Sequence, residues 1–250
     1  WKLTDPAKAD ADQGELDELV NALATLRADE LVADKPSDAK LKEYGLDKPT
    51  ATLTLSSGDK PVLVLHVGAK EKDGARAYAR VDKSDVVALL SPALTSRALG
   101  EFRKRQLFAD LDASQVEVVV ITGPDGVVQF RKQAGKWVDP AKPGEPVDGE
   151  KVTELLTTLA GLKAERWAAD GDADLKLYGW DEGRPRRMVV VTQKGGAAKT
   201  LEVGGPEGTS GGKKVYAKVG GDAGTPGVFV LSEADTATLT RDRAAFSGKK

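Results

Sequence analysis

The sequence predicts an α+β fold made of two tandem units, each an antiparallel β-sheet with one long amphipathic helix and short helices packed on it. Three observations predict it. The chain matches itself when shifted so that Trp137 lies on Trp1; each half holds one run of apolar residues at helical spacing; and alternating runs bounded by turn residues surround those helices. At that shift Asp12, Leu16, Leu19, Val20, Leu23 and Leu26 fall on Asp148, Val152, Leu155, Leu156, Leu159 and Leu162. After a small length change Tyr44-Gly45-Leu46-Asp47 meets Tyr178-Gly179-Trp180-Asp181, and Leu65, Val67 and Gly68 then meet Leu201, Val203 and Gly204 at the first shift again. Farther on, at a slightly larger shift, Tyr78 falls on Tyr216, and Arg103, Arg105 and Phe108 fall on Arg241, Arg243 and Phe246. The predicted division is 1–110 and 111–250.

The elements follow in order. Leu16, Leu19, Val20, Leu23 and Leu26 make the i, i+3, i+4, i+7 stripe of a helix, with Asp12 as N-cap and Glu15 three residues on. A short helical turn ends at Tyr44-Gly45, where glycine can take the left-handed conformation that stops a helix. Ala51, Leu53 and Leu55, then Leu63, Leu65 and Val67, alternate with polar or exposed neighbours across Ser57-Gly58-Asp59, which reads as an antiparallel hairpin. Tyr78–Val81 and Val86–Leu90 are two more strands, and Ser91-Pro92 opens a short helix with a cap and a proline in its first turn. Between the halves, 116–122 and 127–132 flank Gly123-Pro124-Asp125-Gly126 and predict a β-hairpin at 116–132 that opens the second unit. The first unit shows no such hairpin. Either about 25–30 residues of equivalent sequence stand upstream of Trp1, if both units are complete, or the first unit never had them.

Composition excludes several kinds of chemistry. With no cysteine there is no disulfide, thiolate metal site or cysteine nucleophile. A net charge of -2 lacks the positive field that nucleic acid or an anionic membrane attracts, and aromatics at 5% leave few stacking platforms. No apolar run approaches the ~18 residues of a membrane span.

Individual motifs carry little more. His66, the single histidine, falls on Glu202 in the second half and reads as a solvent-facing strand position rather than a catalytic base. In Gly204–Lys214 a phosphate-binding loop would need glycine where Glu207 stands and Ser or Thr where Lys214 stands, so the stretch reads as a connection between strands. Asp170-Gly171-Asp172-Ala173-Asp174 places Asp181 at the twelfth position of a calcium loop, but Leu175 stands where such a loop needs glycine. Basic clusters at Arg103-Lys104-Arg105, at Arg184 with Arg186 and Arg187, and at Arg241 with Arg243 read as partners for acidic residues near helix ends. Trp1, Trp137 and Trp180 beside Tyr178 could serve as ligand platforms, but read better as packing residues.

The repeated pattern of an amphipathic helix, Tyr44-Gly45-Leu46-Asp47-Lys48-Pro49, a strand ending Leu65-His66-Val67-Gly68, Tyr78-Ala79-Arg80-Val81 and an Arg-x-Arg segment resembles the bacterial domain of unknown function 4340 family, in two copies. The second copy departs from it with Trp180 for leucine and with Asp181–Arg184 before Pro185. The resemblance implies an extracytoplasmic domain tethered by an N-terminal membrane anchor outside this chain and encoded near ABC-type export components of the gliding-motility kind. It supplies no catalytic residues.

The resulting expectation is a non-enzymatic accessory module without cofactor or metal. Its partner is a protein of the cell envelope, with an ABC-type permease foremost, and not nucleic acid. Candidate contact residues are Tyr44, Trp180, Arg103, Arg105, Arg241 and Arg243. The alternative is a ligand-binding protein holding a peptide or glycan between its two units.

Overall fold

The long helix of the first half starts where Asp12 caps it, its carboxylate accepting a hydrogen bond from the Glu15 amide at 3.2 Å. The structure is a computed structural model describing residues 1–5, 8–72, 74–171, 173–196, 198–208, 212–220 and 227–248. It is an α+β fold with antiparallel sheets and five α-helices among the described residues. The chain divides into two compact units, Trp1–Lys104 and Arg105–Lys250.

The first unit runs β1 (Lys2–Leu3), β2 (Ala9–Asp10), α1 (Gln13–Ala24), β3 (Glu30–Asp34), α2 (Asp38–Glu43), β4 (Ala51–Ser57), β5 (Lys60–Lys70), β6 (Ala77–Val81), β7 (Val86–Leu89) and α3 (Pro92–Ala98). Strands β3 to β7 form one antiparallel sheet in the order β3-β7-β6-β5-β4. Because side chains alternate across a strand, Ala77 and Ala79 of β6 face the cluster made with Leu19 and Leu23 of α1 and Leu94 and Ala98 of α3. Tyr78 points the other way and packs with Tyr44, Leu46 and Val87 beneath α2. The small side chains of β6 let helices approach one face, and the tyrosine pair fills the other.

The second unit runs β8 (Val116–Gly123), β9 (Gly126–Gln133), β10 (Lys136–Val138), α4 (Gly149–Ala160), β11 (Arg166–Ala169), β12 (Arg187–Gln193), β13 (Ala198–Pro206), β14 (Val215–Gly220), β15 (Val228–Val230) and α5 (Glu233–Leu239). Its sheet has the order β10-β9-β8-β12-β13-β14-β15-β11. The hairpin at 116–132 therefore belongs to this sheet, with β8 pairing antiparallel to β12 from Val116↔Gln193 to Thr122↔Met188. Asp148 caps α4 by accepting from the Glu150 and Lys151 amides, both at 3.1 Å. Val152, Leu155, Leu156 and Leu159 of α4 are all buried against Val119, Ile121, Phe130, Val189, Val191 and Leu201.

Two strands lie where the sequence shows no alternation. β3 and β11 are edge strands, and each carries a register shift against its neighbour, at Leu31/Ala33 and at Trp167/Ala169. A bulge of this kind breaks the two-residue period.

The sequence match of Arg103, Arg105 and Phe108 to Arg241, Arg243 and Phe246 is not kept in space. Phe108 and Phe246 sit in the same core. The carbonyl that accepts the amide of the helix cap is that of Phe102 for Asp12, at 2.7 Å, and that of Phe246 for Asp148, at 2.9 Å. The physical reason is length: the stretch from the cap Ser91 to Phe102 is shorter than the stretch from the cap Ser232 to Phe246.

Candidate functional site

Of the residues expected to make contacts, three lie inside the fold. The ring of Tyr44, 8% exposed, stands 4.5 Å from that of Tyr78, with the Lys40 ammonium 5.8 Å from its centroid. The Tyr44 carbonyl accepts from the Ala69 amide at 2.8 Å, so the corner after α2 is stitched to β5. Gly45 turns that corner at φ +66°, and Gly68 lies so close beneath it that a Cβ there would stand 2.2 Å from the Tyr44 oxygen. Trp180, 1% exposed, occupies the corresponding corner of the second unit. Its Nε1 donates to Glu202 Oε2 at 3.1 Å, and Lys218 Nζ lies 3.3 Å from the same oxygen. Tyr178 and Tyr216 meet edge to face at 5.0 Å. Arg103 is buried, with its backbone bridging to Ala11.

The remaining arginines are spread rather than gathered. Arg241 donates to Glu154 Oε1 at 2.6 Å, and its carbonyl accepts from Arg187 at 2.5 Å. Arg243 donates to the buried Asp139 carboxylate at 2.8 Å. Arg105 is exposed, and its carbonyl accepts from the Ala164 amide at 2.9 Å. The hydrogen bonds from Arg241, then Lys151, hold the Glu154 carboxyl down at about 2. Burial lowers the Arg187 guanidinium from its usual value.

The other motifs resolve similarly. His66 is half-buried, with Nδ1 3.2 Å from Thr52 Oγ1 and Nε2 3.7 Å from Asp82. Asp174 caps a short helical turn by accepting from the Lys176 amide at 3.1 Å, while Asp172 of the same acidic stretch lies outside the described residues. Among the described residues no three His, Asp or Glu side chains are grouped as they would be around a metal ion. In the glycine-rich stretch, Gly204 passes under Trp180 and the Tyr178 carbonyl, where a Cβ would come within 2.1 and 2.4 Å. Residues 209–211 of that stretch lie outside the described residues.

A cleft of about 910 Å³ opens instead beside Trp137, within the second unit. It is lined by Trp137 and Val138 of β10 with Pro146 and Val147, and by the charged or polar residues Lys132, Lys136, Glu145, Glu150 and Thr153. Trp137 is held by the fold from two directions. Lys132 Nζ stands 5.9 Å from the indole centroid, and Gly149, the first residue of α4, leaves space for the indole edge, a Cβ there reaching 3.6 Å from Cδ1. The loop forming the far wall begins at Asp139, whose carboxylate accepts from the Ala141 amide at 2.9 Å as well as from Arg243. Pro140, Pro143 and Pro146 in that loop prevent it from joining the sheet or extending α4. Those prolines beside a tryptophan were the available signal for the cleft. Trp1, by contrast, is 54% exposed and donates from Nε1 to Asp17 at 2.7 Å, so the two tryptophans matched in sequence are packed differently.

The cleft's mixed lining of apolar residues, lysines and glutamates suits a polypeptide segment that carries both signs. No helix among the described residues is long and apolar enough to cross a membrane. The sequence profile of the family described as "Domain of unknown function (DUF4340)" matches residues 1–183 and again residues 137–250. No curated protein and no solved structure matches the chain.

Proposed function

Because this chain belongs to the domain of unknown function (DUF4340) family, we propose that it is a non-enzymatic interaction module acting outside the cytoplasm beside an ABC-type export permease. The same reading takes the chain as two tandem copies of one α+β unit. Two overlapping matches to the family profile support the duplication. So does the recurrence of a tyrosine carbonyl packed on a strand glycine, Tyr44 on Gly68 and Tyr178 on Gly204. The observation that carries the interaction role is the cleft beside Trp137, whose lining includes Lys132, Lys136, Glu145 and Glu150. Trp137 itself is 9% exposed, so a protein segment laid in the cleft would bury apolar surface chiefly on Pro146 and the partly open Val138 and Val147, with charges of both signs nearby.

A photo-crosslinking residue placed at Lys136 or Glu150 of the full-length protein in its native host tests this. Both positions line the cleft and are exposed, so the fold tolerates the change. The expected result is capture of a permease or neighbouring envelope protein from the membrane fraction, reduced when the rim charges are reversed with K136E and E150K. Failure to capture any protein, with a peptide or glycan retained by the purified chain, overturns the reading.

A further inference from the structure

The sheets of the two units have one order in common: β3-β7-β6-β5-β4 corresponds to β11-β15-β14-β13-β12, and the second sheet then continues with β8, β9 and β10. The registers agree as well. Leu53 stands opposite Leu65 as Val189 stands opposite Leu201, and Thr54 opposite Val64 as Val190 opposite Thr200. β4 is therefore the counterpart of β12. Yet β12 is paired on both sides, whereas β4 pairs only with β5 among the described residues. The difference reaches the side chains: Val189 and Val191 of β12 are buried, while Leu53 and Leu55 of β4 are only half-buried.

Exposed edge strands are usually protected against pairing by lysine, proline or a bulge. The sequence of β4, Ala51-Thr52-Leu53-Thr54-Leu55-Ser56-Ser57, has neither proline nor charge, and its one register shift, at Leu55/Ser56, falls near the end of the strand. What this strand has instead is complementarity to itself. When two molecules set β4 against β4 about a two-fold axis through Thr54, the strands run antiparallel and residues equally far from Thr54 face each other. Leu53 then meets the partner's Leu55, Thr52 meets the partner's Ser56, and Thr54 meets its own equivalent. Opposed residues of an antiparallel pair share one face of the sheet, so the leucines gather on the core side and the hydroxyl groups on the other. An axis through Leu53 or Leu55 would instead leave a leucine opposite Ala51 or Ser57.

The second unit shows the same register filled. There β8 lies antiparallel on β12 with Ile121 opposite Val189, Val120 opposite Val190 and Val119 opposite Val191. Val119 and Ile121 are part of the core. A second β4 laid on the first about Thr54 brings Leu55 to the position of Ile121, Thr54 to that of Val120 and Leu53 to that of Val119.

We propose that the outer edge of β4 is a homodimer interface, at which two molecules of this chain join antiparallel about Thr54 into one continuous sheet. Such an interface uses the same edge of both molecules, so the assembly closes at two. The proposal rests on taking the two units as copies, and not on the cleft beside Trp137. Its failure therefore leaves the interaction role of that cleft standing, and crosslinking from the cleft tests that role separately.

Sedimentation of the whole chain from about 1 μM to 1 mM, a range that spans weak and moderate association, should show a monomer passing to a dimer and nothing larger. Two substitutions at the axis read the register. Thr54 is exposed, so T54K leaves the fold intact, but it places two ammonium groups directly opposite each other and should weaken the dimer about tenfold or more. The chain has no cysteine, so T54C supplies the only thiol. Across the axis the two Cβ atoms lie about 4.5–5.5 Å apart, near enough for a disulfide to form on mild oxidation. T52C is the control, since four residues of strand, roughly 13 Å, separate it from its equivalent. The expected result is a disulfide-linked dimer from T54C and none from T52C. A chain that stays monomeric throughout the series overturns the proposal. So does a dimer that T54K leaves unchanged and T54C fails to link, which assigns association to another surface, and so does linking by T52C as readily as by T54C.

Discussion

The carbonyl oxygen of Tyr44 lies 2.2 Å from the point where a Cβ would stand on Gly68, and no side chain of any kind fits between them. The neighbours are backbone atoms and Leu46 Cγ rather than the flexible end of a side chain, so relief requires the corner after α2 to lift from β5. Gly68→Ala should therefore destabilise the chain by about 3 kcal/mol, at the upper end for overpacking. Gly58→Ala is the comparison, since Gly58 has φ +60° but nothing within 4 Å of its Cβ and should lose only about 1 kcal/mol for the left-handed backbone. Urea unfolding of the whole chain measures both. Equal losses would show that close packing at Gly68 contributes nothing.

Trp180 makes a different demand at the corresponding corner. Its donor is satisfied by Glu202, which is itself held by Lys218. Trp180→Phe removes both the donor and one ring of a side chain that is 1% exposed, and about 2–3 kcal/mol should be lost. Glu202→Gln keeps an acceptor for the indole and gives up only a partly exposed ion pair, so about 1 kcal/mol or less is expected. Denaturation followed by tryptophan fluorescence compares the two. If Glu202→Gln proves the more costly, the ion pair rather than the buried indole organises this corner.

These corners show what could be read from sequence. Tyr44-Gly45 and Tyr178-Gly179 were legible as helix stops because a left-handed residue is a local requirement. The glycines at 68 and 204 lined up but gave no hint that they pack beneath those stops, since contact between distant segments leaves no periodic trace. The helical stripes and the hairpins at 51–67 and 116–132 were legible for the same local reason. The edge strands β3 and β11 were not, because Leu31 is 72% exposed and the bulges break the alternation. The cleft is not legible in sequence because it forms where a proline-rich segment packs beside Trp137, which is itself a core residue as its sequence reads, and Trp1, matched to it, has no such setting.

Glu154 sets a pH dependence. Hydrogen bonds from Arg241 and Lys151 hold its carboxyl at about 2, below the 4.5 of an unfolded glutamate. A folded-state value below the unfolded one means that the interaction is fully present above pH 4.5 and fades as pH falls toward 2. Stability should therefore decline with acid across that window, and Glu154→Gln should flatten its share of the decline while leaving neutral-pH structure intact. Chemical denaturation of both proteins at pH 7, 4 and 3 measures this. Parallel declines for the two proteins would remove Glu154 from the account. Because the side chain is exposed, salt should weaken the effect.

The same residue type on the two helices should have unequal value. Leu155 is 1% exposed in a core closed by β8 and β9, and Leu155→Ala leaves a cavity that its neighbours cannot fill, costing about 3 kcal/mol. Leu16 holds the same kind of stripe position on α1 but is only partly buried at the margin of the first unit's core, so solvent can occupy the space its side chain vacates. About 1 kcal/mol is expected for Leu16→Ala, in proportion to the apolar area still covered. Periodicity alone predicts equal losses, because it identifies which face of a helix turns inward and says nothing of how many strands lie across from it. Two units can also unfold separately, so each loss should be measured by the exchange of that unit's own core amides rather than by one global midpoint. If Leu16→Ala costs as much as Leu155→Ala, then partial exposure of the α1 stripe does not lower the value of its leucines.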